Sequence, residues 1–107
     1  MPKVSVVIPV YNVGRFLQGC IDSAINQSLK DIEIICVNDA STDGCLSILQ
    51  SCAEKDQRIK VINFKNNLGT SQARKAGVLA STGDYVMFLD GDDEFFPNAC
   101  ELAYNTH

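Results

Sequence analysis

The sequence is short of the parts from which many catalytic and binding sites are assembled. Its one histidine is the last residue, His107, so a Ser-His-Asp triad or a histidine-rich metal site has little to build from. The five cysteines, Cys20, Cys36, Cys45, Cys52 and Cys100, include no C-x-x-C pair. That spacing argues against a zinc ribbon, and the odd count argues against a disulfide framework. No apolar run approaches the roughly 18 residues of a membrane span, and the chain opens into strand-like sequence where a secretory leader would stand. No basic run accompanies the net charge of −4, so nucleic acid as a partner has no electrostatic footprint. The common phosphate motifs are missing too. Pro9-Val10-Tyr11-Asn12-Val13-Gly14 stands where a dinucleotide fold carries Gly-x-Gly-x-x-Gly, and there is no Gly-Lys-Ser/Thr. A calcium loop begun at Asp90 would put Phe95 where its obligatory glycine belongs and Pro97 inside the loop. These absences predict a cytoplasmic domain with reduced core thiols, attached to a membrane, if at all, peripherally through regions outside this chain.

What is present is an ordinary globular composition, 46% apolar and 21% charged over 107 residues. It predicts a single domain, 1–107, with a small but real core. Val4 to Ile8 is a nearly continuous apolar run, the pattern of a strand covered on both faces of a parallel sheet, and Pro9 is expected to end it. Phe16, Leu17, Cys20, Ile21, Ala24 and Ile25 recur at helical spacing behind Asn12, a candidate cap. Ile32 to Asn38 repeats the strand pattern. Ser41 or Thr42 is the expected cap of a second helix marked by Cys45, Leu46, Leu49, Cys52 and Ala53, with Asp43 an alternative. A shorter strand, Lys60 to Phe64, is placed near the sheet edge by its flanking lysines. A third helix spans about Thr70 to Ala80 and gathers Ala73, Ala76, Gly77 and Ala80 on one face, which allows close approach to the sheet. Tyr85 to Leu89 reads as a buried fourth strand, and Pro97 as the first turn of a last helix.

Strands alternating with helices require parallel pairing through right-handed crossovers. The fold class is therefore α/β, a parallel sheet of about four strands with flanking helices in the order 3-2-1-4. Ligands of such sheets bind at the carboxyl ends of the strands. There the fourth strand runs into Asp90-Gly91-Asp92-Asp93-Glu94, whose crowded carboxylates call for solvent or a cation. A hard divalent ion with positions left open for phosphate oxygens suits them. The same order brings Tyr11, Asp39 and the acids around one crevice.

Four segments then resemble a known family. They are Val4-Ser5-Val6-Val7-Ile8-Pro9-Val10-Tyr11-Asn12, Val37 to Gly44, Asn67 to Gly77, and Gly83 to Asp93. In order and content they resemble the family 2 glycosyltransferases of the GT-A fold across almost the entire chain. The resemblance implies an incomplete GT-A fold and a nucleotide-diphosphate-sugar donor, with UDP the commonest nucleotide. Pro9 and Tyr11 would line the nucleoside, Asp39 would hydrogen-bond the base, and Arg74 would approach the diphosphate. Asp90 and Gly91 would meet the ribose side, and Asp92 or Asp93 would hold Mn²⁺ or Mg²⁺. Lys75 departs from the family's common Asn. The acceptor, a glycan or lipid-linked glycan, and the base acting on it would be met by residues following this segment. The chain thus reads as the donor-binding half of an inverting transferase, inactive alone, or as a noncatalytic nucleotide-binding module on the same scaffold. Its open sheet edge also suggests self-association.

Overall fold

The computed structural model describes residues 2–106, and His107 lies outside them. The elements are β1 (Val4–Val10), α1 (Gly14–Ile25), β2 (Ile32–Asn38), α2 (Cys45–Lys55), β3 (Ile59–Asn63), α3 (Thr70–Ala80), β4 (Tyr85–Phe88) and α4 (Ala99–Asn105). All pairings are parallel, in the order β3-β2-β1-β4. Val7 lies opposite Ile35 on one side and Phe88 on the other, so β1 is flanked along most of its length.

The nearly continuous apolarity of β1 and β2 is explained by two cores. Val4, Val6, Ile8 and Val10 join Ile34 and Cys36 beneath Leu17, Ile21 and Leu49 of α1 and α2. On the opposite face Ile35 and Val37 pack against Ala73 of α3, with Ala76 and Ala80 at its margin. A Cβ at Gly77 would stand 2.3 Å from Val7 Cγ1. The small-residue face of α3 is therefore what lets that helix lie directly on β1. All five cysteines are buried as free thiols.

Several local expectations are corrected. Pro9 does not end β1, which continues to Val10. Val10 O accepts from Asp39 N and Val7 O from Leu89 N, so the alternating backbone aims position 9 toward β4. The β1–β4 ladder stops at the Val7–Phe88 pair, and no donor is needed there. β4 is not buried, because among the described residues it is the last strand of the sheet on its side, and Phe88 is 45% exposed. Phe16 falls off the buried stripe of α1 and is half exposed beneath the Arg15 guanidinium. Pro97 precedes α4, whose N-cap is Asn98, and Leu102 stays exposed while Cys100 packs. Asn12, Ser41 and Thr42 cap no helix; they bond to one another across the site.

Candidate functional site

The carboxyl ends of β1, β2 and β4 open onto one cleft of about 380 Å³. Pro9 and Tyr11 enter it from the end of β1, Asp39 from the end of β2, and Arg74 from the first turns of α3. Asp90, Gly91 and Asp92 close it from the turn after β4. Asp93 lies in an adjoining cleft that shares Arg74 and Asp90 with the first, so the turn's carboxylates face two clefts. Val13, Thr70 and Ala73 also line the main cleft. They were not anticipated, since small or apolar residues carry no chemical signal in sequence.

The β1 and β2 ends are laced together by polar bonds. Asn12 adopts φ 52° and Ala40 φ 58°, both left-handed. Asn12 Oδ1 accepts the Thr42 N–H at 2.8 Å, and Ser41 Oγ accepts the Asn12 N–H at 3.1 Å. Asp43 reaches both helix starts, taking the Gly14 N–H at 3.0 Å and the Cys45 N–H at 3.1 Å. Hydrogen bonds from Cys45, and then from Gly14, hold its carboxyl below the usual range despite some desolvation. This lacing fixes the rim on which Tyr11 stands half exposed.

Asp39 is only 3% exposed. Its oxygens accept the backbone N–H groups of Leu68 at 2.7 Å and Gly69 at 2.9 Å. Each carboxylate oxygen has a second lone pair, so acceptor capacity remains toward the cleft. Arg74 is paired with Asp90 at 3.3 Å and lies 5.6 Å from the centroid of the Phe88 ring. Gly91 is buried where a Cβ would sit 2.7 Å from Val13 Cγ2 and 3.2 Å from Pro9 O. Only glycine lets the acidic turn pass so close to the end of β1.

The turn also creates a negative field. The Cys20 thiol beneath it is pushed up to about 12, first by burial and then by Asp93, Asp92, Glu94 and Asp90. Such a field favours a cation. Among the described residues no three His, Cys, Asp or Glu side chains converge as a metal cage. The donor set is instead one or two hard carboxylate oxygens beside open space, which fits an ion of the Mg²⁺ type completed by ligand phosphates.

A parallel sheet in this order, with a carboxylate-bearing crevice at the ends of its central strands, is a GT-A glycosyltransferase fold, present here as a fragment. The chain belongs to glycosyl transferase family 2, whose family model matches residues 5–107. It is 47% identical over 93 residues to the uncharacterized glycosyltransferase EpsJ of Bacillus subtilis, a match covering 87% of this chain and 27% of EpsJ. The crystal structure of S. aureus TarS 1-349 in complex with UDP-GlcNAc superposes with a TM-score of 0.87 at 28% identity, covering 94% of this chain and 30% of that one. The mannosyltransferase PcManGT of Pyrobaculum calidifontis, in complex with GDP-Man and Mn²⁺, gives 0.83 at 26% identity, covering 96% and 31%. The chain thus spans less than a third of each of these relatives.

Proposed function

We propose that this chain, as one domain over residues 1–107, binds a nucleotide-diphosphate sugar, with UDP as its nucleotide, together with Mn²⁺ or Mg²⁺. It would serve inverting transfer to a glycan or lipid-linked acceptor on the cytoplasmic side. The observation that carries this reading is the meeting of Tyr11, Asp39, Arg74, Asp90 and Asp92, remote in sequence, in one cleft. Tyr11 and the Pro9 backbone line the nucleoside, and the free acceptor capacity of Asp39 meets the base N–H. Asp90 and Gly91 face the ribose side, and Arg74 offers a delocalised cation to the diphosphate. Asp92 and Asp93 hold the metal. When bound, that ion supplies Lewis-acid neutralisation of the departing nucleoside diphosphate. The ligands named for TarS and PcManGT support the donor class.

The acceptor and its base belong to further polypeptide, because the relatives are more than three times as long as the matched segment. No helix among the described residues is long and apolar enough to cross a membrane. Attachment there would be peripheral and made by other regions. The open side of β4 is the seam for added strands or a second copy. Calorimetric titration of UDP with and without Mn²⁺ tests the reading on the wild-type chain and on Asp92→Ala. Mn²⁺ strengthens UDP binding to the wild type and the substitution abolishes that gain. If Mn²⁺ leaves UDP affinity unchanged in the wild type, the reading fails.

A further inference from the structure

Between β4 and α4 the chain runs through residues 89–98 without regular structure, yet this segment carries the donor carboxylates. Within it the backbone makes few bonds of its own, from Asp93 N to Asp90 O and, at its end, from Ala99 N to Phe96 O. It is held by hydrogen bonds from α1 and from the residues just after it. Cys20 Sγ donates to Asp90 O at 3.4 Å, ahead of the acids, and Ser23 Oγ accepts the Phe95 N–H at 3.1 Å, behind them. Gln27 follows in the turn after α1. Its Nε2 donates to Phe96 O at 2.7 Å and to Ser23 O at 3.0 Å, while its Oε1 accepts the Cys100 N–H at 2.9 Å. Ser28 N closes the series on Pro97 O at 2.8 Å.

Gln27 is fully buried, and both its N–H groups and its oxygen are engaged. A buried amide is costly unless so satisfied, and once satisfied it selects one arrangement of its partners. Ser23 is similarly committed, its hydroxyl donating to Cys20 O at 2.6 Å and accepting from Phe95. Gly91 through Glu94 are therefore strung between two anchors one helical turn apart, with Gly91 pressed on Val13 and Pro9.

We infer that Cys20 and Ser23 of α1, with Gln27 just after it, set the position of Asp92 and Asp93 for the metal, and that Gln27 is a positioning residue of the donor site. This rests on the donor reading above. Metal ligands of this kind depend on the bonds that orient them, whose loss lowers metal affinity by roughly tenfold or more. A role confined to anchoring α4 would not touch the metal, because α4 has its own apolar anchor in buried Cys100.

The test uses Gln27→Leu, and Ser23→Ala as the milder variant should the first fail to fold. UDP binding is titrated across a Mn²⁺ series, and amide exchange is followed at Phe95 and Cys100. The gain in UDP affinity from Mn²⁺ falls by roughly tenfold in the variants, UDP binding without metal is unchanged, and the Phe95 amide exchanges faster. An undiminished metal gain, or an equal loss with and without metal, overturns the inference while the donor reading stands. A wild-type chain that shows no metal gain overturns the donor reading, and this inference with it.

Discussion

A carboxylate that lines the cleft also fixes the start of a helix: Asp39 accepts the N–H of Gly69, the N-cap of α3, at 2.9 Å. Gly69 has φ 97°, a conformation reserved for glycine, so the loop has one way to present that N–H. Asp39→Asn keeps the shape but turns an amide donor toward one of two backbone donors. It is expected to lower unfolding free energy by about 1–3 kcal/mol and to weaken UDP binding. A urea midpoint equal to that of the wild type would show that the carboxylate is dispensable for α3.

Arg74 and Asp90 behave differently, since both side chains are about half exposed. Solvent screens such a pair, and Arg74→Ala should change stability by no more than about 0.5 kcal/mol. Its effect falls on ligand. UDP affinity drops in the variant while the thermal midpoint holds, as scanning calorimetry and titration on the same preparation would reveal.

Glu33 contributes to the acid dependence of stability, beside Asp43 and Asp56, whose carboxyls are also held low. It is buried between β1 and β3, where burial raises its carboxyl but bonds from Lys60, Ser5 and Thr82 prevail and hold it at about 2 instead of 4.5. A carboxyl depressed in the folded state stabilises the fold fully above the unfolded value and loses that contribution as pH falls through the folded one. The loss is therefore expected between about pH 4.5 and pH 2. Glu33→Gln costs roughly 1–3 kcal/mol at neutral pH and flattens the decline. Urea midpoints at pH 7 and pH 3 for both proteins measure the difference.

Ala40 holds φ 58° without the excuse of a missing Cβ. That region costs an L-residue about 1–2 kcal/mol, and Gly returns part of the gain through its freer unfolded chain. Ala40→Gly should stabilise by up to about 1 kcal/mol. A lower thermal midpoint in the variant would refute strain at this position.

The strand order could be read from the chain because β1 and β2 are apolar at most steps, the pattern of central parallel strands covered on both faces. The acids at the end of β4 and the carboxylate after β2 were legible for the same reason, since strand ends dictate where the crevice lies. Caps were misread because Asn12, Ser41 and Thr42 satisfy one another across two loops, a nonlocal solution that short-range capping rules do not contain. The exposure of β4 was implied by the order 3-2-1-4, which leaves that strand one neighbour, but its apolar run argued for burial instead. Gln27 left no mark, being a polar residue at the end of an apolar stripe whose partners lie about seventy residues away.

Asp43 accepts the first N–H groups of α1 and α2, and Asp39 accepts the N–H of Gly69, the N-cap of α3. In many parallel α/β proteins these positive helix ends are the anion cradle. Here the starts of α1 and α2 already hold a carboxylate of the chain itself, and a second carboxylate stands just before α3. On the donor reading proposed above, the charge of a diphosphate would fall to Arg74 and a divalent cation, and donor affinity would follow the surrounding metal concentration.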